Sequence, residues 1–225
     1  MVGKKQDMRC PVFSRIVSVY SGTQPTSEDA AMTDNTAADP RPLFGQALDQ
    51  AAQLIAAIGD DQLSLPTPCT EYDVATLLNH LTGAIARCGD AALGKELGEL
   101  EATPAKPSAG FAAAFAAAQA EATGVWEDDA LLSKEVVLPW ATLPGAVIVQ
   151  MYALETVLHS WDLAVATGHE DKLDDTIAEQ LIPVAEQMLP VEPRGGEIPF
   201  EAVVPAPEGA GAGDRLAAYS GRSRI

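Results

Sequence analysis

An all-α fold is predicted: a four-helix bundle with one extra helix and a short carboxy-terminal appendage of strand and helix. Three observations predict it. Apolar residues recur at helical spacing in successive stretches from Leu43 to Leu189. Glycine and proline fall at the ends of those stretches rather than within most of them. No repeat of solenoid period interrupts the pattern. The chain has 225 residues, 47% of them hydrophobic, which suffices for a sizeable core.

Each element follows from its residues. Leu43, Ala47, Leu48, Ala51, Leu54, Ile55 and Ile58 share a helical stripe, and Gly59 stops it. Pro66 and Pro68 make the next segment a loop. Asp73 is a good N-cap for the second helix, with Tyr72 and Leu77 spaced as a hydrophobic staple. Its inner face carries Val74, Leu77, Leu78, Leu81, Ile85 and Cys88. A proline-containing linker spans 95–109. The alanine-rich run from Phe111 to Trp126 favours a third helix that packs closely. Glu135–Leu138 reads as extended. The fourth helix runs from Gly145 to Thr167 and ends at Gly168, the expected C′ glycine. A fifth covers Asp175–Leu189, Glu197–Pro207 alternates weakly as a strand would, and Asp214–Tyr219 is a last short helix.

The amino terminus differs in composition. Residues 1–31 carry Lys4, Lys5, Arg9 and Arg15 against Asp7, Glu28 and Asp29, whereas the rest is strongly acidic. Arg15 breaks the apolar stretch Val12–Tyr20 and no small-residue cleavage site follows, so it does not read as a signal peptide. Residues 21–40 offer almost nothing to bury. The expected organisation is therefore a disordered leader over 1–39, or an over-extended gene start with Met32 as the alternative. The helical bundle follows over 40–190 and the appendage over 191–225.

With 14 Lys+Arg against 32 Asp+Glu, the net charge is −18. Such a surface repels phosphate backbones and anionic headgroups, which argues against nucleic-acid and membrane partners. The three cysteines, Cys10, Cys69 and Cys88, form no C-x-x-C. That excludes a disulfide scaffold and a zinc ribbon and suits a reducing cytoplasm. Cys88 lies on an apolar stripe as core, and Cys69 reads as a small buried loop residue.

The fourth helix carries the chemistry. It is apolar around most of its circumference, which predicts burial on most sides. A membrane span is unfavourable because Glu155, His159 and Asp162 sit in its middle. Glu155 and His159 are four residues apart and stack on one face. A buried carboxylate needs a partner. At this point a divalent metal and a plain side-chain hydrogen bond both satisfy the pair. His80 turns about 110° from the centre of its helix's stripe, toward a flank where a neighbour packs. It is either a half-buried histidine bonding a carbonyl or a third ligand, completing a two-His, one-carboxylate set with open positions. His169, just past the helix end, reads as exposed. Asp162 is positioned to orient a ligand or to pair with an arginine. Trp161 reads as core, and Arg215 as a surface residue.

Three motifs then carry a resemblance. They are Pro66-Thr67-Pro68-Cys69-Thr70-Glu71-Tyr72-Asp73-Val74 leading into Leu77-Leu78-Asn79-His80-Leu81, Leu138-Pro139-Trp140 before Leu143-Pro144-Gly145, and Glu155-Thr156-Val157-Leu158-His159-Ser160-Trp161-Asp162. With the tail around Val203-Val204-Pro205 and Gly221-Arg222, the chain resembles actinobacterial metal-binding proteins of the DinB-like superfamily, over about Leu43 to Arg222. These are related to the amino-terminal domain of mycothiol-dependent maleylpyruvate isomerase. The resemblance implies a DinB-like four-helix bundle holding a divalent metal, usually zinc, with ligands matching His80, Glu155 and His159. It departs at Tyr72, where the family usually has Trp, and in the short segment after the bundle.

That resemblance implies a chemistry. An open metal position favours the thiolate of a bound thiol, which attacks an electrophile. Mycothiol is the thiol implied, and the activity a thiol-dependent transferase or isomerase. The alternatives are a non-catalytic metal-binding or sensing protein, and a structural bundle without metal. The oligomeric state is open, a homodimer included.

Overall fold

The structure, a computed structural model, describes residues 38–97, 100, 103, 105–139, 141–189, 191–192, 194 and 201–225. Apart from Ala38 and Asp39, the expected leader over 1–39 lies outside the described residues, as does Trp140. Seven α-helices and one two-stranded hairpin are present among the described residues. They are α1 (Arg41–Ala57), α2 (Val74–Ala92), α3 (Phe111–Trp126), α4 (Ala130–Ser133), β1 (Glu135–Val137), β2 (Thr142–Pro144), α5 (Gly145–Thr167), α6 (Asp175–Met188) and α7 (Ala212–Tyr219). The helical class is borne out.

Four helices pack in a closed cycle: α2 on α3, α3 on α1, α1 on α5, and α5 on α2. Helices α6 and α7 pack on one another and on α5 as an added layer. Helix α5 is therefore central, and every residue from Met151 to Ala164 is buried. An α-helix apolar around most of its circumference has no other place in a water-exposed fold. Among the described residues no helix is long and apolar enough to cross a membrane.

Local signals set the helix ends. The Asp73 carboxylate accepts from the Thr76 N–H at 2.8 Å and caps α2. Gly168 closes α5 in the left-handed region, with φ of 71°, which glycine tolerates without a Cβ penalty. Gly145 opens α5 for a different reason. A Cβ there would overlap the carbonyl of Leu131 in α4, so only glycine lets the two segments approach. Both members of the expected staple, Tyr72 and Leu77, are buried.

Two differences from the sequence reading have physical causes. The extended segment Glu135–Leu138 pairs as β1 with Thr142–Pro144, in the register Val136 opposite Leu143. Those two side chains point inward while Val137 is exposed. A three-residue partner strand ending in proline is too short to show periodicity. Residues 201–207, in contrast, form no strand. Their backbone is instead tied by isolated bonds, the Val204 N–H donating to Ala218 C=O at 3.0 Å and the Pro207 C=O accepting from the Ala210 N–H at 3.1 Å. The rest of the expected strand, residues 197–200, lies outside the described residues.

Candidate metal centre

Two helices of the cycle bring the predicted residues together. The cap at Asp73 fixes the start of α2 and hence the rotation that turns His80 toward α5. A tight loop sets the approach. Val74 N–H donates to Leu65 C=O at 3.0 Å, Tyr72 N–H to Cys69 C=O at 2.8 Å, and Thr67 Oγ1 to Tyr72 C=O at 2.7 Å. On α5, Glu155 and His159 are one turn apart and face α2 across the seam.

One oxygen of Glu155 is the meeting point. Oε1 lies 3.1 Å from Nε2 of His80 and 3.1 Å from Nε2 of His159. The imidazoles sit edge to face, their centroids 5.0 Å apart. His80, Glu155 and His159 each offer one ligand-type atom, all within 4.8 Å of one another. They are 5%, 1% and 0% exposed, so water does not solvate the cluster. His80 is thus more deeply buried than its flank position implied, because α5 closes over it and the Tyr72 ring packs beside it at 5.3 Å.

The second oxygen of the same carboxylate, Oε2, is buried with no hydrogen-bond partner. An ionised, desolvated carboxylate oxygen left unpaired is costly. A divalent cation suits this donor set, a carboxylate with a vacant lone pair on Oε2 and two imidazole nitrogens that converge on its Oε1, at the ligand count used by open zinc sites.

The protonation pattern is that of a cluster holding a proton where a cation would sit. Burial works against the charge on Glu155, but the imidazoles of His159 and His80 outweigh it and hold its carboxyl well below the usual range. Burial likewise disfavours charge on His159, yet the carboxylates of Glu155 and Asp162 push it well above the ordinary imidazole value. Burial dominates at His80 and keeps it neutral.

Behind His159 stands a support that was only half legible. Asp162 Oδ2 lies 3.0 Å from His159 Nδ1. The same carboxylate accepts from Arg222 Nε, at 3.0 Å to Oδ2 and 3.1 Å to Oδ1. Asp162 thus pairs with an arginine and contacts His159 at the same time. The arginine's identity carried no local signal, because it lies 60 residues away and reaches Asp162 only through the folding of the tail.

Other residues fall outside the cluster. His169 is half-buried and pairs with Thr167 Oγ1 at 2.9 Å. Trp161 is core, its Nε1–H donating to Asp214 at 2.9 Å. Arg215 is exposed and pairs with Glu179. Cys88 is buried and accepts from Trp126 Nε1 at 3.2 Å. Cys69 is half-buried, and its sulfur lies within 4.8 Å of a His159 nitrogen and an Asp162 oxygen, a proximity its loop position did not announce.

Comparison with known proteins matches residues 44–164 to the mycothiol maleylpyruvate isomerase N-terminal domain. Two uncharacterized proteins from two strains of Mycobacterium tuberculosis are each 32% identical over 188 residues. Those alignments cover 82% of this chain and 98% of the relatives. Among solved structures, a variant of the mycothiol-dependent maleylpyruvate isomerase aligns with a TM-score of 0.49 at 16% identity. The match spans 62% of this chain and 65% of that one. A second structure of the isomerase aligns with a TM-score of 0.43 at 15% identity, over the same shares of the two chains.

Proposed function

We propose a metal-dependent thiol chemistry for this chain, which belongs to the family of the mycothiol maleylpyruvate isomerase N-terminal domain. In this reading His80, Glu155 and His159 hold one divalent cation, zinc by the chemistry of the donor set. The protein is then a mycothiol-dependent transferase or isomerase acting on a small electrophile. The observation that carries the reading is the Glu155 carboxylate, with one oxygen shared by two imidazoles and the other buried and unpartnered. Bound there, the cation would supply Lewis acidity and favour the thiolate form of a thiol at an open position.

The chain's own residues prepare that site. Asp162 accepts the Nδ1 proton of His159, which leaves Nε2 as the donor facing the cluster. The Tyr72 ring restrains His80. The apolar walls of α2 and α5 exclude water, which strengthens every charge interaction inside. The negative charge of Glu155 would complement a cation held there.

Burial of all three donors also favours a second reading, a closed metal-binding or sensing site without catalysis. One experiment separates them. Metal content is measured on the wild type and on His159→Ala, and mycothiol is then titrated into the metal-loaded protein. The catalytic reading expects about one metal per chain in the wild type only, and a thiol-dependent change at the metal. Metal without thiol binding supports the closed site, and a metal-free wild type removes both readings.

A further inference from the structure

Arg222 lies 58 residues beyond the family-matched segment 44–164, yet it reaches the centre of the molecule. Its side chain is only 9% exposed. Arg215 and Arg224, in the same tail, are 44% and 47% exposed and pair with surface carboxylates. The tail is pinned for this purpose at several points. Tyr219 Oη donates to Leu189 C=O at 2.8 Å, Gly213 N–H to Asp175 at 2.8 Å, and Trp161 Nε1–H to Asp214 at 2.9 Å. The Arg222 N–H donates to Ala217 C=O at 2.9 Å, which sets the direction of the side chain at the end of α7.

We infer that the carboxy-terminal segment forms the outer half of the metal centre, with Arg222 a positioning residue that acts on His159 through Asp162. The inference rests on the metal reading above. Asp162 is 0% exposed, and a buried carboxylate is stable only when paired and hydrogen-bonded. Arg222 Nε contacts both carboxylate oxygens and locks their plane. The locked Oδ2 then holds the His159 ring by its Nδ1, so that Nε2 keeps its aim at the shared point. Without the guanidinium the carboxylate loses its counter-charge and its fixed plane, and the imidazole loses its orienting partner. Outer partners of this kind change metal affinity by about 10–100-fold.

The test uses the full chain and Zn²⁺ itself, with affinity read by competition against a chromophoric chelator and geometry by the visible absorption of the Co²⁺ form. Arg222→Met is expected to weaken Zn²⁺ binding by about 10–100-fold and to alter the Co²⁺ bands, with partial recovery in Arg222→Lys. In the Asp162→Asn background the same Arg222 substitution is expected to cost less than about threefold more, since the residue it acts through is already changed. If Arg222→Met does not fold, Arg222→Lys in the two backgrounds makes the same comparison. Wild-type affinity and bands in both Arg222 variants would overturn the inference. So would an equal loss in the wild-type and Asp162→Asn backgrounds. A wild type that binds no Zn²⁺ instead overturns the metal reading on which it rests.

Discussion

Glu155 Oε1 and His80 Nε2 stand 3.1 Å apart across the seam between α5 and α2, although 75 residues separate them in the chain. The α5 side of the seam also supplies His159, and the second oxygen of Glu155 is left without a partner. Glu155→Gln keeps the shape and removes the charge that a cation requires. Metal content is expected to fall from about one per chain to none, while the circular dichroism spectrum stays helical. A metal-replete Glu155→Gln protein would exclude Glu155 as a ligand.

Cation binding should stabilise the fold by mass action. At a free Zn²⁺ concentration one hundred times Kd, the gain is about 2.7 kcal/mol. For a domain of this size that raises Tm by roughly 5–10 °C. Differential scanning fluorimetry with and without chelator measures it. His159→Ala should show no metal-dependent shift.

The metal-free cluster holds a proton on His159, because the adjacent carboxylates of Glu155 and Asp162 raise its affinity for one against the effect of burial. His80, kept neutral by burial, has none to release. A cation must displace the proton from His159 Nε2, so affinity rises with pH until the raised imidazole value is passed. Titration calorimetry near pH 7, in buffers of different ionisation enthalpy, is expected to report release of about one proton per ion bound. Binding heats that do not vary with the buffer would contradict this assignment.

Gly145 admits the Leu131 carbonyl against the first turn of α5. Adding a single methyl forces the two segments apart. Gly145→Ala is expected to lower stability by about 1–3 kcal/mol in urea unfolding. Gly124, where a Cβ meets nothing within 4 Å, is the control. Gly124→Ala lies within α3 and should be neutral or stabilising.

The cysteines differ sharply in environment. Burial pushes the Cys88 thiol well above its ordinary value, and the Trp126 N–H only partly offsets this. Peptide mapping after brief alkylation of the native protein should find Cys88 unmodified and half-buried Cys69 labelled. Denaturation should expose Cys88. Rapid native labelling of Cys88 would mean that the α2–α3 seam opens readily.

Much of this protein could be read along the chain because its controlling signals are local. The cap at Asp73, the stop at Gly168 and the mostly apolar surface of α5 act within a few residues of where they lie, so α2, α3 and α5 are found close to their predicted limits. The pairing of Glu155 with His159 is equally local, since four residues make one helical turn. What lies between elements needed the fold. Spacing alone turned His80 toward a flank, and only the packing of α5 on α2 made that flank an interior with the Glu155 carboxylate in it. The β1–β2 pairing arises from two segments too short for periodicity to register. Arg222 is the clearest case. Its amino-acid type fits a surface as well as a core, and its burial against Asp162 depends on where α7 and the tail are anchored, which no interval in the primary chain encodes. Patterns of burial and turning are written residue by residue, whereas the meeting of charges from distant segments is decided by the low-dielectric space that those segments enclose together.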